Sequence, residues 1–142
     1  MQQPPKRRKY NKAQKGRNRG MSTACTVVFG QFGMRITSRG QINARQIEAM
    51  RRVIVRTMNK KGKLIIRLFP DKPVSKKPLE VRQGKGKGSV ELYVFEVKPG
   101  AMLFELKGVD KTTAQEAFAK AAAKLHLKTE FVISEDYIED SV

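Results

Sequence analysis

The segment from Asn43 to Gly62 commits part of the chain to a two-faced helix. Asn43 is a good N-cap, and Gln46 three residues on completes a capping-box pattern. Ile47, Met50, Ile54 and Met58 recur at helical spacing, so at about 100° per residue they share one stripe. Arg45, Arg52 and Arg56 gather on the opposite side. Gly62 is the expected stop, with Lys60 and Lys61 before it suiting the negative end of the helix dipole. A helix with one apolar stripe needs a second layer to cover that stripe.

Strands are the available cover. Thr23 to Ile36 alternates loosely around Val27, Val28, Phe29, Phe32 and Met34 and reads as one or two short strands, with Gly40 as the break. Lys63 to Phe69 and Val90 to Val97 are clear strand runs. Pro70 and Pro73 end the first of these. Lys98-Pro99-Gly100 is placed as a type II turn, with Met102 to Leu106 expected as the hairpin partner of Val90–Val97. Between Pro70 and Ser89 lies a basic, Gly- and Pro-rich connection with one short extended piece, Leu79-Glu80-Val81. Asp110 caps a second helix running to about Leu125, with Ala114, Ala117, Phe118, Ala121, Ala122 and Leu125 as its apolar stripe. Thr129 to Ile133 is a final strand. The expected class is α+β: a two-layer α/β sandwich with a mostly antiparallel sheet, two amphipathic helices and an extended basic N-terminus.

Charge divides the chain. Residues 1–88 carry 24 Lys and Arg against Glu48, Asp71 and Glu80, while residues 89–142 carry six Lys against ten acids, which together give the net +17. A soluble domain needs a net charge of only about 2–8, so the excess calls for a polyanionic partner, nucleic acid before membrane. Three parts are expected: an RNA-threading extension over 1–22, an RNA-binding sandwich over 23–133 that includes the basic loop 70–89, and a loose acidic tail over 134–142. The extension has almost no apolar content and should be ordered by its partner. Its cations are Lys6, Arg7, Arg8, Lys9, Lys12, Lys15, Arg17 and Arg19, with Tyr10, Asn11 and Asn18 among them to stack on and hydrogen-bond with RNA. Arg45, Arg52 and Arg56, with Lys72, Lys76 and Lys77, complete the expected RNA contacts. Gly84, Lys85, Gly86, Lys87 and Gly88 form a loop in which glycines let backbone approach phosphate and lysines supply charge. Arg82 beside it can make bidentate contacts that lysine cannot.

Enzyme chemistry finds little support. His126 is the one histidine, no CxxC or HExxH spacing occurs, and the glycine-rich loop fits neither GxxxxGK[ST] nor GxGxxG. No catalytic residue, metal site, cofactor or small-molecule substrate is expected. The single cysteine, Cys25, reads as a buried small hydrophobe and fits a reducing, cytosolic setting. No apolar run is long enough to span a membrane.

Several motifs occur in a telling order: Lys15-Gly16-Arg17-Asn18-Arg19-Gly20, Phe29-Gly30-Gln31-Phe32-Gly33, Ala44-Arg45-Gln46-Ile47-Glu48-Ala49, Phe69-Pro70-Asp71-Lys72-Pro73, Lys77 through Gly88, and Lys98-Pro99-Gly100. Over roughly residues 1–133 the chain resembles the bacterial large-subunit ribosomal protein family called L-sixteen. The resemblance implies an α/β sandwich with an extended N-terminus, seated in 23S ribosomal RNA near the peptidyl transferase centre and the A site. It implies contact with A-site tRNA and with neighbouring large-subunit proteins, late entry into the assembling subunit, and organisation in place of catalysis. It also implies that Arg82 lies on the loop facing the functional core, at a position hydroxylated in some bacteria. The resemblance gives Cys25 no role, and the tail from Ser134 to Val142 is longer and more acidic than it implies. A free nucleic-acid chaperone or compacting protein is the alternative that charge alone would allow.

Overall fold

The computed structural model describes residues 4–137. In chain order its elements are β1 (Phe32–Ile36), β2 (Gly40–Asn43), α1 (Ala44–Thr57), β3 (Lys63–Ile66), β4 (Lys72–Ser75), β5 (Val90–Val97), β6 (Met102–Lys107), α2 (Lys111–Ala122) and β7 (Thr129–Ile133). The strands divide between two sheets, one ordered β3-β6-β1-β7 and the other β2-β5-β4, and every neighbouring pair is antiparallel. The α+β class, the antiparallel pairing and both amphipathic helices are as the sequence indicates.

The helices form where the pattern places them. Asn43 accepts from the Gln46 amide at 2.8 Å while the Gln46 side chain accepts from the Asn43 amide at 3.0 Å, closing the capping box. Ile47, Met50, Ile54 and Met58 are buried, and α1 packs on α2, whose Ala114, Ala117, Phe118 and Ala121 are buried too. One core joins these helix faces to Phe32, Met34 and Ile36 of β1, Ile42 of β2, Val97 of β5 and Leu103, Phe104 and Leu106 of β6. The helices are shorter than expected. After Met58 the chain leaves helical geometry through Asn59 and Lys60, both at positive φ, before it reaches Gly62. The second helix ends at Ala122, three residues before Leu125.

Four strand expectations are corrected. Residues 23–31 are irregular, and pairing starts only at Phe32. Gly40 begins β2 instead of breaking a strand. Leu79-Glu80-Val81 is turn and bend, whereas Lys72–Ser75 is the strand of that connection. Pro73 argues against a central strand, but β4 lies at a sheet edge, where a missing N–H costs no ladder bond. The strand from Lys63 stops at Ile66, short of Phe69.

The expected hairpin of β5 with β6 is the largest correction. The turn itself is present: the Ala101 amide donates to the Lys98 carbonyl at 3.1 Å, and Gly100 has φ +91°. It carries the chain from one sheet into the other, because Gly100 donates to the Ile36 carbonyl at 2.8 Å and Ile36 to the Ala101 carbonyl at 2.9 Å. These bonds pull β6 onto β1 and away from β5.

The start of the acidic tail is docked. Ser134 donates to the Gln31 carbonyl at 2.8 Å, and the Tyr137 ring packs 4.8 Å from Phe32. The rest of the tail expectation, residues 138–142, lies outside the described residues.

Candidate nucleic-acid interface

The N-terminal extension runs along the β2-β5-β4 sheet. The Arg8 guanidinium sits 4.7 Å over the Tyr93 ring on β5. Asn18 donates to the Val97 carbonyl at 2.8 Å, Ser22 donates to the Pro99 carbonyl at 2.9 Å, and Arg39 donates to the Gly20 carbonyl at 2.9 Å. Between these points the extension meets the basic connection. Lys12 Nζ donates to the Lys87 carbonyl at 2.8 Å, Lys87 Nζ returns a bond to the Ala13 carbonyl, and Lys72 Nζ donates to the Lys15 carbonyl at 2.7 Å. Residues far apart in sequence thus form one continuous cationic ridge.

Most charge on this ridge is left for a partner. Lys6, Arg7, Arg8, Lys9, Lys12, Lys15, Arg17, Arg19, Lys76, Arg82, Lys85 and Lys87 are all exposed, and Lys77 is half-buried. None of them meets a carboxylate among the described residues. Lys72 differs from expectation, because it pairs with Glu96 at 2.7 Å and is taken up in holding β4 to β5 and the extension to both.

The loop tip explains its glycines in two ways. Gly84 and Gly86 have φ of +100° and +89° and face open space, so conformation selects them. Gly88 is selected by crowding, since a Cβ there would stand 2.7 Å from the Lys76 carbonyl oxygen. Lys77 Nζ donates to the Gly84 carbonyl across the loop base. Arg82 is exposed and has no hydrogen bond or ion pair among the described residues.

Helix α1 offers a second surface. Arg45, Arg52 and Arg56 are exposed on one side of it. Arg51, which the periodicity did not single out, lines a shallow depression of about 460 Å³ with Arg52, Arg56 and Lys60. Glu48 tempers this face. It takes two bonds from Arg51, at 2.7 and 2.8 Å, and one from Arg52 at 3.1 Å. The Arg51 hydrogen bond, followed by that of Arg52, holds its carboxyl down at about 2. Arg45 and Arg56 meet no carboxylate among the described residues.

Two further residues were not evident in the sequence. Glu105, on β6, is completely buried; its Oε2 accepts from the Phe29 amide at 2.6 Å and the Gly30 amide at 2.8 Å, and the Val28 amide donates to both oxygens at 3.3 Å. Arg67 closes the arrangement at 2.7 Å to Oε1, bonds the Thr26 carbonyl at 3.0 Å and lies 5.4 Å over the Phe29 ring. Only the packing of 26–30 over β6 turns Glu105, an ordinary strand position by pattern, into an anchor. His126, by contrast, is exposed beside Gln46 at 3.2 Å, and Cys25 is half-buried instead of buried. No described helix is long and apolar enough to cross a membrane.

A family model described as "Ribosomal protein L16p/L10e" matches residues 5–132. The chain belongs to this family. Among relatives named "Large ribosomal subunit protein uL16", that of Psychromonas ingrahamii is 58% identical over 128 residues, covering 90% of this chain and 94% of the relative. That of Aeromonas salmonicida is 57% identical over 130 residues, covering 91% and 95%. That of Coxiella burnetii is 59% identical over 129 residues, covering 90% and 94%. As an L16p/L10e protein the chain is structural and not an enzyme. The L16p/L10e match takes in the N-terminal extension from residue 5 and the loop through Gly88, so the ridge cations from Lys6 to Lys87 fall inside the family's span.

Proposed function

We propose that this chain is a structural component of the large ribosomal subunit in the bacterial cytoplasm, binding 23S ribosomal RNA near the peptidyl transferase centre and the A site. The observation that carries this reading is the ridge: exposed lysines and arginines from the extension and from residues 76–87, fastened together through backbone carbonyls and facing no carboxylate among the described residues. Such a surface releases condensed counterions when it meets phosphates. It positions folded RNA and reads little sequence. In this reading residues 1–22 thread between RNA helices, the body over 23–133 presents the ridge and the α1 arginines from two directions, and Arg82 with Gly84–Gly88 reaches toward A-site tRNA. In this reading the acidic tail over 134–142 supplies no phosphate contact, and neighbouring large-subunit proteins complete the setting.

Sedimentation of dissociated subunits tests the assignment. The protein should travel with the large particle and leave it in high salt, whereas recovery in the free pool would indicate a nucleic-acid chaperone. Arg82→Ala, or deletion of Gly84–Gly88, should leave the fold intact while slowing A-site tRNA accommodation or late subunit maturation. Normal polysome profiles and normal elongation in such a strain would refute the role given to the loop.

A further inference from the structure

A cleft of about 890 Å³ is lined by Phe29, Ile65, Ile66, Leu68 and Phe69 together with Ile47 of α1. Three of its large apolar side chains are open to solvent: Phe29 is 58% exposed, Phe69 44% and Ile66 43%. Single exposed hydrophobes are ordinary, and these three matter because they line one cleft together.

Its charges differ in kind from those of the ridge. Arg51 is taken up by Glu48, and Arg67 by Glu105 and the Thr26 carbonyl, so the two arginines on the cleft wall are already neutralised. Asp71 on the rim is exposed and meets no cation among the described residues. In a chain of net charge +17, the one unanswered charge at this cleft is negative. That repels phosphate and suits a cationic partner. The backbone adds a second preference. Strand β3 ends its sheet, with β6 on one side and no strand on the other among the described residues, and its Ile65 and Ile66 line the cleft. A free strand edge beside an apolar groove takes an extended peptide by strand addition.

We infer that this cleft docks an extended segment of a neighbouring protein, an apolar side chain seated against Phe29 and Phe69 and an adjacent Lys or Arg reaching Asp71. The inference rests on the chain's place in the large subunit and adds a protein-facing side to its RNA-facing one. The test uses large subunits purified from a strain whose chain carries Phe69→p-benzoylphenylalanine, irradiated and then digested. Presence of the chain in the particle is scored first, by sedimentation. With the chain present, the expected product is a crosslink to one protein segment that contains apolar residues beside Lys or Arg. Asp71→Lys in the same background should lower that yield about fivefold or more through like-charge repulsion, without releasing the chain from the particle. A crosslink to RNA, no crosslink, or a yield indifferent to Asp71→Lys would overturn the inference while leaving the ribosomal assignment standing. Absence of the chain from the particle would overturn both.

Discussion

Replacing Glu105 by Gln keeps the shape of the side chain and removes its charge. The consequence follows from its neighbours. Its carboxylate is fully buried and accepts from the amides of Val28, Phe29 and Gly30 as well as from Arg67, whose side chain is itself only 18% exposed. Gln presents one oxygen and an NH₂, so an amide hydrogen is turned toward donors, and the Arg67 charge loses its counterpart. Removing one partner of a buried ion pair costs about 3–5 kcal/mol, against a total stability of about 5–15 kcal/mol for a typical domain. For a chain of this size that is a fall in Tm of roughly 10–17 °C. Urea or thermal unfolding followed by circular dichroism measures the loss. Hydrogen exchange at the amides of 28–30 locates it, since those protons should exchange much faster while the β1–β6 ladder keeps its protection. Converting both partners to apolar residues, Glu105→Leu with Arg67→Met, should not restore the stability, because the amides of Val28, Phe29 and Gly30 would still lack their acceptor. A loss below about 1 kcal/mol with unchanged exchange at 28–30 would refute the role assigned to Glu105.

Glycine positions separate crowding from conformation. A Cβ at Gly30 would meet the Leu106 carbonyl oxygen at 2.5 Å, so Gly30→Ala should cost about 1–3 kcal/mol of global stability in a denaturant titration. Gly84→Ala meets open space at φ +100°, so it should reshape the loop and weaken subunit binding while barely moving Tm. Glu48 is lowered from 4.5 to about 2, so its stabilising contribution is complete above 4.5 and is lost as pH falls toward about 2. Because it is a surface helix pair, Glu48→Gln should cost only about 0.5–1 kcal/mol at pH 7 and flatten the stability profile across that window, by acid titration of unfolding. Replacing Arg45, Arg52 and Arg56 together should flatten the slope of log K for large-subunit RNA against log salt by roughly two units, at about 0.7–0.9 for each phosphate no longer neutralised. The third arginine counts for less because Glu48 already holds Arg52. An unchanged slope would remove α1 from the RNA-binding surface.

Helix α1 could be read from the sequence almost to the residue at its start, because a capping box and a four-residue apolar stripe are both local signals. Its end could not, since Asn59 and Lys60 adopt left-handed backbone that no local pattern demands. Strand β4 was hidden by Pro73, whose veto holds only in sheet interiors, and the position of an edge is a property of the whole sheet. The β5–β6 hairpin failed for a related reason. Lys98-Pro99-Gly100 specifies a turn and says nothing about whether the departing strand folds back or crosses to another sheet. At the candidate interface the basic residue types were plain from composition. Their division into engaged and available was not, because it depends on where Glu48 and Glu96 come to lie.

The way Lys12 and Lys87 grip the carbonyls of Lys87 and Ala13 has a consequence for a molecule that must stay strongly positive. An ammonium that seizes an amide oxygen keeps its full charge and, with three protons to give, still has others to offer. Seams closed in this manner subtract nothing from the electrostatic field, so self-assembly of the surface and attraction of an anion do not compete. Had the same seams been sewn with aspartate, each stitch would have cancelled one of the cations that the surface exists to display.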